Sequence, residues 1–597
     1  MQTPEHNYPG HSSVLPNRNA DVTGHVKVNS STPVAVVVTL LNILAILFLY
    51  TLRQVDDNRL TNWQWLMDGQ QVFILSLMLT GILLFCWYIR VNALRINVPL
   101  GLFLLAFLTG MVFWTEPEVI IDSSRYFTQA KYLSEYGVIY FIREWGNSIT
   151  SWTDLPLVPL IYGFVFKIFG ESRLVIQLVT LSMFAGTIVL TYYIGKTLWD
   201  EMTGFYGGVL LLGMPFLLTQ VPLMLVDVPS MFFLTLAVWT TLQVIRQGSI
   251  YWIVLAAISI TMAMLSKYSV WLMLSVLPVL LLTCHHFNWQ LDAKRLLWVL
   301  YGTGLLLAPF IILKIDLILA QLQLLSAYQL PGLRRWQESQ LSTFFFQIHP
   351  FISLAALASV YHAIHQRDWH YLPIVWMWLL IFIIGINRSR YVIIALPMLA
   401  LMAAYAIRLI RNHEIRHYLL LSIVMTSLVL GIGAYRPFLQ STSATNLQAA
   451  GRFLDQLNVD AVEVIVLPQI NSTINPLVSI PALDLFTHQK LVYQPAANPI
   501  SPQDKQALST SPVRFSWEFK LPDFYRDNGW ATNKAIAVIA SHPRQTLPQN
   551  IRQHLTDYQV SARFTRTEGV FRYRTDVTVY ELKRASLQDK HNLSQRG

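Results

Sequence analysis

The chain has 597 residues, 54% of them hydrophobic and only 13% charged, with a formal net charge of +10. A soluble chain of this length would carry roughly twice that charged fraction, so a water-soluble globular protein is excluded and a polytopic α-helical membrane protein is read instead. The N-terminal tail, 1–32, is polar and lacks the basic-then-apolar order of a cleaved leader. Cys86 and Cys284, the two cysteines, fall in apolar windows and read as small buried side chains, not as a disulfide or metal ligands.

Apolar windows near the ~20 residues needed to cross a bilayer fall at 33–52, 71–90, 97–115, 174–194, 203–221, 228–246, 250–266, 268–284, 296–314, 345–364, 371–387, 391–410 and 417–435. They predict about thirteen membrane helices over a domain spanning 33–435. Short basic loops set the orientation. Arg90 with Arg95, Lys294 with Arg295, and Arg408, Arg411 with Arg416 fall on one side, which places the N-terminus in the cytoplasm and residues 436–597 outside.

The first large outer loop, 116–173, contains the polar island Asp122-Ser123-Ser124-Arg125-Tyr126. A helix over Ser123 to Tyr136 is predicted, with Gly137 as its stop. Asp122 stands where an N-cap would, and Asp122, Arg125, Gln129 and Tyr132 would share one face. Cap and functional carboxylate are both open readings for Asp122. The segment Asp154 to Phe169 is short, apolar and interrupted by Pro156 and Pro159. A crossing there would invert every later loop, so it is read as an interfacial helix.

Arg125, Arg143, Arg334, Arg335, Arg388 and Arg390 run against the charge bias by falling on the outer side. Singly each could meet lipid headgroups; together they suggest an anion-binding rim, because arginine grips phosphate through several donors. Beyond Arg436 the composition turns soluble. A helix over 444–457 and strands at 462–467, 491–493, 535–540 and within 570–582 predict a small α/β domain. It shows no glycine-rich phosphate loop, metal-ligand spacing or nucleophile elbow.

An ordered series of short motifs carries a resemblance. After Asp122-Ser123-Ser124-Arg125-Tyr126 come Thr153-Asp154-Leu155-Pro156 with Phe169-Gly170-Glu171-Ser172. Leu225-Val226-Asp227-Val228-Pro229 and Leu265-Ser266-Lys267-Tyr268 follow. Last is Asn387-Arg388-Ser389-Arg390-Tyr391 leading into Ala395-Leu396-Pro397. From about Glu116 to Ala406 the chain resembles the GT-C superfamily of membrane glycosyltransferases, and within it the bacterial relatives of protein O-mannosyltransferases and of the lipid A aminoarabinose transferase. Ser123 replaces a glutamate common in that family, and Asp154-Leu155 stand where a basic residue and a proline are common.

The resemblance implies a polyprenyl-phosphate sugar donor, an acceptor hydroxyl on a lipid, glycan or protein, and an inverting displacement in a bacterial plasma membrane. It implies Asp122 as general base and Arg125, Lys267, Arg388, Arg390 and Tyr391 as contacts to the donor phosphate. Arg143, Asp154 and Asp227 would be supporting residues. Asp227 could instead be a cap, Lys267 a snorkelling lysine, and the arginines flanking anchors. No obligatory cofactor is expected, although a divalent cation is compatible with the outward carboxylates; no nucleic-acid partner is expected. A lipid-linked sugar flippase, which would want broken charged helices and repeats, and an inactive scaffold are the competing readings.

Overall fold

The computed structural model describes residues 32–68, 72–89, 97–283, 289–333, 338–469, 472–493, 511, 513–527, 529, 533–571 and 573–583. Residues 1–31, Arg90, Arg95, Cys284, Arg334 and Arg335 lie outside the described residues.

A helix underlies every expected span, but not always an unbroken one. Among the described residues five are long and apolar enough to cross a membrane: Thr32–Thr51, Arg173–Leu198, Asp227–Gln247, Trp289–Gly332 and His413–Ser441. Helix length does not by itself establish the expected count of thirteen. The 203–221 window divides into Glu201–Leu211 and Pro215–Gln220, because Pro215 cannot donate to the preceding turn. The 268–284 window divides into Tyr268–Met273 and Val276–Leu281. The 296–314 window runs longer than expected, over Trp289–Leu324, with non-helical backbone at Lys314.

One large apolar core, with Phe184, Leu210, Leu234, Ile260, Ile374 and Leu399 among its fully buried members, ties the bundle together. Asp227 opens a helix of 21 residues, about 30 Å long at 1.5 Å per residue. Near its far end Arg246 reaches the carbonyl of Thr197, Arg295 that of Ile245, and Arg408 pairs with Asp200 at 3.0 Å. The loops of Arg295 and Arg408 therefore lie at the end of the bundle opposite Asp227.

At the Asp227 end lie the elements of residues 116–173, the loop expected on the outer side. The helix Ile120–Glu144 is interrupted at Gly137, whose φ of +83° suits a residue without Cβ. It starts earlier than the sequence suggests and resumes beyond the glycine. Leu157–Phe169 packs on its first half, with Phe166 edge-on to Phe127 and the Tyr162 hydroxyl donating to the Leu225 carbonyl at 2.7 Å. Phe164, Ile168 and Phe169 stay exposed on the other face, the amphipathic division expected of a helix lying on a surface.

Among its described residues the C-terminal domain has a five-stranded sheet: β1 Ala461–Val466, β2 Leu491–Tyr493, β3 Lys534–Ala540, β4 Tyr558–Phe564 and β5 Asp576–Leu582. The order is β2-β1-β3-β5-β4, with β1 parallel to β2 and β3 and the β3–β5 and β5–β4 pairs antiparallel. The helix Ala444–Leu454 covers one face. β4 is not among the strands expected from the sequence; in this edge strand Tyr558, Val560, Ala562 and Phe564 alternate with polar residues but none is fully buried.

This domain is seated on the outer loop. Lys131 pairs with Glu171 at 2.8 Å and with Asp484 of the C-terminal domain at 2.7 Å. The Ser124 hydroxyl donates to the Val478 carbonyl at 2.5 Å.

Candidate active site

A cavity of about 1040 Å³ opens where the outer loop, the ends of the bundle helices and the C-terminal domain meet. Asp122, Arg125, Asp154, Lys267, Arg388, Arg390 and Tyr391 all line it. Segments separated by more than a hundred residues in the chain thus converge on one space.

Asp122 lies in the first turn of Ile120–Glu144, but the N-cap is Val119, with no side-chain cap bond. The cap expectation for Asp122 is therefore corrected: the helix begins two residues before it, which leaves its carboxylate free to face the cavity. There it pairs with Arg390 Nη1 and lies 3.5 Å from Arg125 Nη2. Burial opposes its ionisation, but Arg390 and then Arg125 outweigh that and hold the carboxyl below its ordinary range.

Arg125 reaches Asp154 at 2.7 Å through Nε. Asp154 also accepts from Gln129 Nε2 at 3.0 Å. Burial pushes the Asp154 carboxyl up, against the pull of Arg125 and Gln129, and the charge of Asp122 adds to the rise. Two carboxyls on either side of one guanidinium are thus driven in opposite directions, the arrangement that separates a permanently ionised group from a protonatable one. Tyr132, predicted on the same face, instead stacks with Tyr140 and meets Phe524 edge-on, away from the charged centre.

Asp227 is the first residue of its helix, 1% exposed, and it caps nothing; the N-cap is Val226. It accepts from Lys267 Nζ at 2.5 Å and Arg390 Nε at 2.8 Å. Lys267 sits at an extended break, φ −164° and ψ 138°, between Ile250–Ser266 and Tyr268–Met273. It does not snorkel: its ammonium lies inside the cavity, 5.3 Å from the Tyr391 ring centroid. Arg390 bridges Asp227 and Asp122, and Arg388 Nη1 lies 3.3 Å from the Tyr391 hydroxyl. Arg143 is not brought in; its side chain is 69% exposed, pairs with Glu144 and does not line the cavity. It departs because Gly137 turns the second half of the helix away.

Other functional positions escaped the sequence reading. Glu118 accepts from Arg173 Nε at 2.8 Å, Ser123 Oγ at 2.8 Å and Met224 N at 3.0 Å. It therefore fixes the start of the Asp122 helix against the loop that leads to Asp227. Ser123, standing where the resembled family has a glutamate, is a donor to this one. Glu338 accepts from the backbone N–H groups of Arg59 and Ser389 at 3.2 and 3.1 Å, and Asn58 reaches the Ser389 hydroxyl at 3.1 Å. The loop after the first helix thus braces Arg388 and Arg390. The run Thr115-Glu116-Pro117-Glu118 was the missed signal, two carboxylates directly after an apolar window. Among the described residues no group of His, Cys, Asp and Glu is arranged to hold a metal ion.

Residues 154–313 match the family model described as dolichyl-phosphate-mannose-protein mannosyltransferase. That stretch includes Asp154, Asp227 and Lys267 and excludes Asp122, Arg125 and the Arg388–Tyr391 segment. No curated protein sequence matches the chain. Among solved structures it is similar to ArnT from Cupriavidus metallidurans bound to undecaprenyl phosphate, with 13% identity, 80% of this chain and 97% of that one covered, and a TM-score of 0.50. The archaeal oligosaccharyltransferase AglB from Archaeoglobus fulgidus, in complex with an inhibitory peptide and a dolichol-phosphate, is similar at 12% identity over 74% of this chain and 69% of that one, TM-score 0.47. The fold is shared with the ArnT structure.

Proposed function

From that fold, we propose that the chain transfers a sugar from a polyprenyl-phosphate donor to an acceptor hydroxyl, on the extracytoplasmic side of a bacterial plasma membrane, in one inverting displacement. The observation that carries this reading is the cavity centre, where an ionised, partly accessible Asp122 adjoins Arg125, Arg390, Lys267 and Arg388. The N-terminus would then be cytoplasmic and the C-terminal domain outside. The ArnT relative binds undecaprenyl phosphate and the AglB relative dolichol-phosphate, ligands of the chemistry proposed for the donor.

In this mechanism the acceptor oxygen attacks the anomeric carbon while its proton passes to Asp122. The bond from that carbon to the phosphate oxygen breaks on the opposite face, and its electron pair leaves with the polyprenyl phosphate. A carboxylate held to low basicity suffices, because the attacking hydroxyl becomes strongly acidic as its new bond forms. Charge growing on the leaving phosphate is met by Arg390, Arg388 and Lys267, fixed in advance by Asp227 and Glu338. Tyr391 presents a hydroxyl beside Arg388. Arg125 holds Asp122 in line while keeping Asp154 as its second partner.

We assign no obligatory metal to this reaction, since Asp122, Asp154 and Asp227 each already hold an arginine or lysine. The test is transfer of labelled sugar from crude polyprenyl-phosphate sugars by membranes containing wild type or Asp122→Asn. Label reaching an acceptor with wild type alone supports the transferase and identifies the acceptor class. Near-normal turnover by the variant removes Asp122 as base. No transfer by intact wild type from any donor shifts the reading to a lipid-linked sugar transporter or an inactive scaffold.

A further inference from the structure

Between the charged centre and the C-terminal domain the cavity wall is aromatic. Trp152, Tyr328 and Phe515 all line it. They come from the loop before Leu157–Phe169, the turn that ends the long Trp289–Leu324 helix, and the short turn Arg514–Glu518. Trp152 meets Tyr328 edge-on with ring centroids 5.7 Å apart, and Phe515 at 6.1 Å and 45°. The Arg125 guanidinium lies 4.4 Å from the Phe515 ring centroid and 3.5 Å from Asp122. One side chain therefore separates the aromatic shelf from the proposed base.

Two further observations mark the shelf as more than packing. Trp152 has φ +49°, a left-handed conformation that costs a bulky residue ~1–3 kcal/mol and concentrates at ligand sites. Arg514 does not line the cavity but lies 6.0 Å from the Trp152 ring and 5.6 Å from the Tyr328 ring, backing both. Beside the rings the wall is polar: Thr153, Asp154 and Gln329 line it, and Gln329 donates to the Thr153 hydroxyl at 2.5 Å.

We infer that this shelf is the subsite for the donor's sugar and that it selects an uncharged pyranose; the inference rests on the transferase reading above. Flat rings offer an apolar surface to the C–H face of a sugar ring, and the neighbouring amide, hydroxyl and carboxylate meet its hydroxyls. Charge decides the class. Arg125 and Arg514 flank the shelf, and the carboxylates beside them, Asp154 and Glu518, are already paired with them at 2.7 and 3.3 Å. An ammonium-bearing sugar would meet Arg125 at the shelf, and the carboxylates nearest it, Asp122, Asp154 and Glu518, are each already held by an arginine, so its charge gains no counter-ion.

The test uses the full-length protein in nanodiscs, titrated with undecaprenyl phosphate, undecaprenyl-phosphate glucose and undecaprenyl-phosphate 4-amino-4-deoxyarabinose. Wild type should bind the glucosyl lipid on the order of tenfold more tightly than the bare lipid, as burial of one sugar face implies. The amino sugar should bring no such gain. Phe515→Ala and Tyr328→Leu, the latter remote from Arg125, should lose the gain and keep bare-lipid binding; Phe515→Tyr should retain it. Equal binding of the glucosyl and bare lipids, a gain for the amino sugar as large as for glucose, or variants that keep the gain would overturn the inference. Failure of wild type to bind any of the lipids would overturn the transferase reading, and this inference with it.

Discussion

Replacing Asp227 by asparagine keeps the shape of the side chain and removes one charge from the middle of the site. Asp227 is 1% exposed and holds Lys267 at 2.5 Å and Arg390 at 2.8 Å. Arg390 retains Asp122, but Lys267 is left with the face of Tyr391 at 5.3 Å. Stranding a buried cation costs about 3–5 kcal/mol, an upper bound for Lys267, whose side chain is 21% exposed; two charges at 4 Å interact by ~4 kcal/mol at an effective dielectric of 20, the same order. We predict a lower melting temperature in detergent and a kcat at least ~10²-fold down, as for loss of one fixed electrostatic contact. KM for the donor should not rise, because the cavity has gained net positive charge. Adding Lys267→Met should restore much of the lost stability, so that the double variant is less destabilised than the sum of the singles. Wild-type melting and kcat in Asp227→Asn, or strictly additive losses in the pair, would refute the idea that Asp227 positions these cations.

Further outcomes follow from other buried charges. Glu116 is fully buried, 3.6 Å from Arg436, and burial pushes its carboxyl from the ordinary 4.5 up to about 8 against the pull of Arg436 and Arg173. The folded protein therefore holds this proton more tightly than the unfolded chain, and the stability it contributes is full below about pH 4.5 and is lost as pH rises toward 8. Melting temperatures recorded from pH 5 to 9 should fall more steeply for wild type than for Glu116→Gln; parallel curves would contradict this. Lys131→Met leaves Glu171 and Asp484 facing each other without a counter-ion, a loss of about 3–5 kcal/mol. It should loosen the C-terminal domain, read as faster proteolytic cleavage near residues 436–443. The carboxyl of Asp122 lies below its ordinary range, so the wild-type transfer rate should not rise between pH 5 and 7 as a base titrating there would make it; such a rise would contradict a base already ionised at pH 5.

The membrane class and the charged centre were legible in the sequence because both depend on contrast. Asp122, Asp227, Lys267 and Arg390 each interrupt or end an apolar run, where a charge must have a partner. Their pairing was not legible: nothing in the chain says that Arg390 joins Asp122 to Asp227, a contact that bridges 268 residues on one side and 163 on the other. Arg143 was misplaced for a local reason, since a single glycine at position 137 turns the helix off the face that Arg125 shares. The site's roof was invisible because Phe515 sits in a short turn between segments with no periodic signal. Glu118 and Glu338 were passed over because neither belongs to a motif of the resembled family; they hold in place the backbone and side chains of residues that do.

The ion pairs at the cavity centre have a bearing on turnover. Without donor, Arg125, Arg390 and Lys267 are each already matched by Asp122, Asp154 or Asp227, so an entering phosphate must compete with carboxylates for the same donors. On the proposed reaction the loaded carrier is a phosphodiester bearing one negative charge, whereas the spent carrier is a monoester bearing about −1.5 to −2. The same guanidinium groups therefore grip the phosphate of the spent carrier more firmly, which offsets part of the affinity that the sugar gives the loaded one. Free polyprenyl phosphate, holding the same guanidinium groups without the sugar, would then act as an inhibitor competitive with the donor.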